Sequence, residues 1–215
     1  MNGRFISIEG GEGAGKSSVI AACLDHLRAH GIDVVATREP GGTALAERIR
    51  ALMLDAAHTG MTAHTELLLV FAARAQHVRE TIRPALARGA WVLSDRFTDS
   101  SYAYQGGGRG LPVDVIAMLE DFAVEDTRPD LTLWLDLPVA DGLARMKGRG
   151  DADRIEAESL AFFERVRAAF AARAAAEPAR FRRIDAAAAI DDVAAQARAA
   201  LDALVAGNRN RVVLS

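Results

Sequence analysis

Phe5-Ile6-Ser7-Ile8-Glu9-Gly10-Gly11-Glu12-Gly13-Ala14-Gly15-Lys16-Ser17-Ser18 is the stretch that decides the fold. Its apolar start reads as a short strand, and Val19 to His30 carries apolar residues at helical spacing. Between them Gly10, Gly15, Lys16 and Ser17 satisfy G-x-x-x-x-G-K-[ST]. Glycines lack a Cβ, so the segment from Gly10 to Gly15, including Gly11, Glu12, Gly13 and Ala14, can curl round a phosphate and aim its N–H groups inward. The helix that follows, opening near Ser18, adds unsatisfied donors and the positive end of its dipole. Lys16 would reach the β- and γ-phosphates, and the Ser17 hydroxyl would ligate Mg²⁺. A plain glycine-rich turn has no need of the lysine, the hydroxyl and both flanks together. The motif implies a bound nucleoside triphosphate.

Outward from this loop, strand-like and helix-like segments alternate, which implies an α/β fold with a mostly parallel sheet. The further strands are expected at Ile32–Thr37, Trp91–Ser94, Leu131–Asp136 and Phe181–Asp185, making a central parallel five-stranded sheet flanked by helices. Helices are expected from Thr43 to Leu54, with Thr43 as N-cap, and from Thr62 to Arg79, with Pro84 breaking or restarting the pattern. Others follow from Pro112 to Val124, Pro138 to Lys147, Ile155 to Ala176 and Ile190 to Val205. Phe97 to Gln105 reads as a polar-aromatic connection, Gly106 to Gly110 as flexible, and Gly148 to Arg154 as a charged, glycine-punctuated insertion. Residues 1–215 suit a single domain, with a loose tail from Asn208 to Ser215.

The net charge of −3 argues against a general polyanion-binding surface, so nucleic acid is not an expected partner and phosphate recognition must be local. Cys23 is the lone cysteine, suited to a buried position rather than to a disulfide or a cysteine-based zinc site. No apolar run approaches a membrane span and the first residues carry no signal-peptide pattern, so the cytoplasm is the expected location. Of 26 basic residues only Lys16 and Lys147 are lysines. A lysine placed in the phosphate loop of so arginine-rich a chain fits the need there for a compact point charge.

Asp95 ends the third strand, where it can stand beside Ser17 and hold Mg²⁺ directly or through water; Asp136, ending the fourth, competes for that role. Arg38, Arg74, Arg96, Arg109, Arg149 and Arg154 fall near strand C-termini, where open α/β sheets bind ligands. Arg96 beside Asp95, and the paired arginines of the insertion, rise above the ordinary surface role of an arginine. Phe71 and Arg74, three apart on a helix, share a face that could sandwich a planar base or simply pack. His26, His30, His58, His64 and His77 show no metal-type grouping.

With these residues assembled, the chain resembles the bacterial thymidylate kinase family of P-loop nucleoside monophosphate kinases. The resemblance runs from Phe5 to Asp185. It rests on the P-loop with Glu12, on Thr37-Arg38-Glu39-Pro40-Gly41-Gly42-Thr43, on Phe71-Ala72-Ala73-Arg74 and on Asp95-Arg96-Phe97. Tyr104-Gln105-Gly106-Gly107-Gly108-Arg109-Gly110 and the lid-like Arg149 to Arg154 complete it. It implies transfer of the γ-phosphoryl of MgATP to dTMP. By resemblance, Arg38 and Arg96 would hold the dTMP phosphate, Phe71 would stack on thymine, and Arg74 would bond its carbonyl edge. Ser101 and Gln105 would face the base, Tyr104 would pack near the sugar 2′ carbon, and Glu12 would lie near the acceptor sugar and phosphate. Arg149 and Arg154 would close over ATP as lid arginines, and the family suggests a homodimer through packed helices. Many relatives place the aromatic four residues before the arginine, which here is Val70. The rival readings are another P-loop monophosphate kinase or a regulatory P-loop ATPase. A GTPase switch would need an N-K-x-D guanine-reading motif, and the sequence has none.

Overall fold

The computed structural model describes residues 3–147 and 153–213. Its strands are β1 (Phe5–Gly10), β2 (Val34–Arg38), β3 (Trp91–Asp95), β4 (Leu131–Asp136) and β5 (Phe181–Asp185), all parallel in the order β2-β3-β1-β4-β5. The helices are α1 (Lys16–Ala29), α2 (Ala44–Leu54), α3 (Ala63–His77), α4 (Arg83–Ala87), α5 (Thr98–Ser101), α6 (Val113–Val124), α7 (Val139–Met146), α8 (Leu160–Ala176) and α9 (Ile190–Val213).

Alternation along the strands divides the core. Ile6, Ile8, Leu93, Leu131, Leu133 and Leu135 meet Val19, Cys23 and Leu27 of α1 and Val193, Ala197 and Leu201 of α9 on one face. Phe5, Val92 and Phe97 meet Leu67, Phe71 and Ile116 on the other. Each buried Val, Leu, Ile or Phe among them contributes roughly 1.5–3 kcal/mol. Burial pushes the Cys23 thiol up to about 12, consistent with a packing role. The loops after β1 and β3 lead to opposite faces of the sheet. A crevice therefore opens above their C-terminal ends, where Ile8 pairs with Asp95.

Local sequence explains most boundaries, and several differ from expectation. Thr43 caps α2 by accepting from the Ala46 N–H at 3.1 Å, and Thr62 caps α3 likewise. Pro84 does not break the path, because a π-helical turn, Val78–Ile82, brings it into the first turn of α4. Helix α8 starts at Leu160 rather than Ile155, since Ser159 caps it through the Phe162 N–H. The segment expected to be a loose tail from Asn208 is helical as far as Val213.

Tyr102–Gly108, read as a connection running into a flexible glycine run, is π-helical. Helix α8 lies so close that a Cβ at Gly107 would meet the Arg165 carbonyl at 2.8 Å, and one at Gly108 would collide with Phe162. Arg165 locks the approach by donating to the carbonyls of Gly107 and Gly108 at 3.2 and 2.7 Å. These glycines serve close packing, not mobility.

Candidate active site

Gly10 and Gly15 take the positive φ angles that the curled loop requires, 147° and 84°. Helix α1 begins directly at Lys16 with no side-chain cap, leaving its first N–H groups free for an anion. Lys16 Nζ donates to the carbonyls of Gly10 and Gly11 at 3.3 and 3.1 Å, so the lysine folds back over the loop.

A single cleft of about 350 Å³ runs from this loop to the far side of the crevice. Glu12 to Ser18 form one wall, Val70, Arg74, Ser101 and Gln105 the other, with Asp95, Arg96 and Tyr104 between them. Arg96 NH1 donates to the Gly10 carbonyl at 2.8 Å and NH2 to Glu12 Oε1 at 2.7 Å. Tyr104 also donates to Glu12 Oε1, at 2.8 Å, and the Arg96 guanidinium lies 4.9 Å above the Tyr104 ring. Burial works against the Glu12 carboxylate, yet Arg96 and Lys16 hold its pKa down at about 2.

The cations crowd one another. Burial, then Arg96, pushes the Lys16 pKa down; burial, then Arg38 and Arg96, does the same to Arg50. An anion placed among them would relieve both effects, which is the electrostatic form of a phosphate site.

Asp95 Oδ1 is buried without a hydrogen-bond partner among the described residues and lines the cleft with Ser17. An unpaired carboxylate oxygen and a hydroxyl lining one cleft are the ligand types of a hard divalent cation such as Mg²⁺. Asp136, the competing candidate, is committed elsewhere: Arg167 Nε and Arg183 NH2 hold it at 2.7 and 2.6 Å.

Several expected site residues are placed differently. Phe71 packs in the core with Phe5, Leu67 and Phe97 beneath the Arg74 guanidinium, so from this pair it is Val70 that lines the cleft, with Met53, Leu54 and Phe97. Arg38 is half-exposed and paired with Glu47, whereas Arg50 lines the cleft with Arg74 and Arg96 and donates to the Pro40 carbonyl at 2.9 Å. Arg154 does not reach over the P-loop. Its side chain donates to Glu66 Oε2 at 2.6 Å and to the Met53 carbonyl at 2.8 Å. Arg149 and most of the lid, 148–152, lie outside the described residues.

The roles of three buried carboxylates around the wall went unread in the sequence. Glu66, fully buried, accepts from Gln105 Nε2 at 2.8 Å and also binds Arg109 and Arg154. Glu39 accepts from Arg74 Nε at 2.6 Å and from His77 Nδ1 at 2.9 Å. The signal was present in α3: Glu66, Val70, Arg74 and His77 recur at three- and four-residue spacing on the buried face, where charge demands partners. In α2 the buried Ala46 and Met53 flank Arg50 at the same spacing, and Arg50 lines the cleft.

The third is Glu9, fully buried in β1. Its Oε1 accepts from the Phe97 N–H at 2.7 Å and its Oε2 from Ser100 Oγ at 2.6 Å. It thereby pins the backbone just after Arg96, which holds the left-handed φ of 70°. Burial, then the neighbouring Asp99, pushes its pKa up to about 8 from 4.5. A carboxyl with a higher pKa folded than unfolded carries an extra proton when folded between those values. Stability therefore falls as pH rises from about 4.5 to about 8. Glu9→Gln, which keeps an acceptor for Phe97, is expected to flatten that slope in urea unfolding measured across this range.

Residues 8–197 match the family model described as thymidylate kinase. The chain belongs to the thymidylate kinase family. It is 58% identical over 207 residues to the thymidylate kinase of Pseudomonas putida, covering 96% of this chain and 97% of that one. It is 59% identical over 205 residues to that of Pseudomonas syringae pv. tomato, covering 95% and 96%. The crystal structure of thymidylate kinase from Ehrlichia chaffeensis superposes with a TM-score of 0.76 at 31% identity, covering 94% of this chain and 99% of that one. Thymidylate kinases thus share with this chain both sequence and a five-stranded parallel α/β fold. Among the described residues no helix is long and apolar enough to cross a membrane.

Proposed function

We propose that the cleft transfers the γ-phosphoryl of ATP to a phosphate oxygen of dTMP, giving dTDP and ADP. The observation that carries this is one continuous cleft with an uncapped P-loop at one end, the Arg74-Ser101-Gln105 wall at the other, and Arg96 between them. The acceptor is already anionic at neutral pH, so no strong general base is needed. Lys16 and the α1 amides would hold the donor phosphates, and Arg96 with Arg50 the acceptor phosphate. Arg74, Ser101 and Gln105 would read the base edge against Val70, and Tyr104 would pack on the sugar. Mg²⁺, held by Ser17 and Asp95, would offset charge on the donor phosphates.

Lid closure over ATP, in this reading, has Arg154 exchange Glu66 for phosphate oxygens. The exposed apolar side chains Leu68, Met118 and Phe122 of α3 and α6, 59, 68 and 83% exposed, support a homodimer through packed helices. A single kinase domain over 1–215, acting in the cytoplasm, belongs to the same proposal.

Incubation with MgATP and a panel of nucleoside monophosphates tests the substrate: dTMP should become the diphosphate fastest. Preferred conversion of a purine monophosphate would favour another kinase of this class, and ATP hydrolysis without acceptor a regulatory ATPase. Asp95→Asn is expected to raise the Mg²⁺ concentration for half-maximal turnover at least about tenfold. A Mg²⁺ titration of initial rates checks it.

A further inference from the structure

His26 on the last turn of α1 and His30 at its C-cap stand one turn apart, either side of the core residue Leu27. Across from them on α9, Asp202 follows the core residue Leu201. Burial of Leu27 against Leu201 sets the two helices together, so the three polar side chains converge at the rim of that contact. One ligand-capable atom from each lies within 4.8 Å of the others. The imidazole rings are 4.6 Å apart, centre to centre.

The proton positions make the cluster more than an ion pair. His30 Nδ1 lies 2.9 Å from the His26 main-chain oxygen, which can only accept, so Nδ1 carries the proton. In the neutral ring, Nε2 then offers a lone pair. It lies 3.9 Å from Asp202 Oδ1, too far for a hydrogen bond, so that in this tautomer two electron-pair donors stand close together. His26 Nε2 approaches the same oxygen at 2.7 Å. A backbone carbonyl fixing the remote nitrogen of a histidine is the usual outer support of a metal ligand.

We propose that His26, His30 and Asp202 bind a divalent transition-metal ion of the zinc class, completed by water. Two imidazoles and one carboxylate suit Zn²⁺ and not Mg²⁺, which takes oxygen ligands and holds its water tightly. Ligands about 2.0–2.1 Å from zinc sit about 3.3 Å from one another in a tetrahedron, between the 2.7 and 3.9 Å found here. Closing the site takes side-chain adjustment of His30 and Asp202, both exposed. On binding, the proton shared between His26 Nε2 and Asp202 moves to His26 Nδ1 or to solvent. The ion would clip α9 to the helix that carries the phosphate loop.

Untagged, chelator-stripped protein titrated with zinc chloride alone, in a large excess of Mg²⁺, reads the site calorimetrically. One equivalent should bind, with a raised melting temperature. His30→Gln and Asp202→Asn, both at the surface and outside the cleft, should each weaken binding at least about tenfold and abolish the melting shift while dTMP phosphorylation is unchanged. Absence of a zinc-binding heat, or equal affinity in both variants and the parent, overturns the proposal.

Discussion

Arg96→Ala is expected to lower kcat/KM for dTMP by about 10³-fold or more while ATP affinity changes only a few-fold. The arginine ties the phosphate loop to the segment after β3, with NH1 on the Gly10 carbonyl and on Ser100 Oγ and NH2 on Glu12. Charge that builds on the moving phosphoryl must be met in place, because a dry cleft offers no water to reorganise round it. A 10³-fold loss corresponds to about 4 kcal/mol of transition-state stabilisation. Lys16 remains to bind ATP, so donor affinity should be nearly preserved. Arg96→Lys should fall between parent and alanine variant, since a point charge cannot reproduce the two-pronged contact. Initial rates with varied dTMP, beside ATP titration by calorimetry, separate the two effects. Unaltered phosphorylation in Arg96→Ala would remove this residue from the acceptor site.

Arg74→Met should destabilise the fold by about 3–5 kcal/mol and also weaken dTMP. The guanidinium is 2% exposed and bonds Glu39, Ser101 and the Phe97 carbonyl, leaving two of an arginine's five N–H groups for a ligand. Removing the charge strands Glu39 in the interior with His77 as its remaining contact, and an unpaired buried carboxylate is costly. The melting temperature should drop by roughly 10 °C or more. Pairing the change with Glu39→Gln should recover part of the stability but none of the dTMP affinity. That separates the buried charge pair from the ligand contact. Equal stability of Arg74→Met and the parent would mean that Glu39 finds its compensation elsewhere.

The contrast between Val70 and Phe71 shows where sequence reading stops. One step along a helix turns a side chain by about 100°. Which of two adjacent apolar residues faces the cleft therefore depends on how α3 rolls against the sheet, a property of packing. Arg38 and Arg50 make the same point. The first lies in a recognisable motif yet pairs with Glu47 at the surface, while the second lies unmarked in α2 and points inward. His26, His30 and Asp202 were illegible for another reason: 176 positions separate the histidine from its carboxylate.

By itself the sequence determined the strand–loop–helix that cradles phosphate, the parallel sheet around it, and Asp95 with Arg96 at a strand end. Those features follow from contiguous residues whose local geometry is set by glycine, by alternation and by helical spacing. Tertiary structure alone decided that Asp136 is tied to Arg167 and Arg183 while Asp95 Oδ1 is left without a partner among the described residues. It also decided that Glu66 and Glu9 stand behind the wall of the site and that Glu39 is buried at its edge. Their partners are brought together only when strands and helices pack, and buried charge settles wherever that packing supplies an opposite charge.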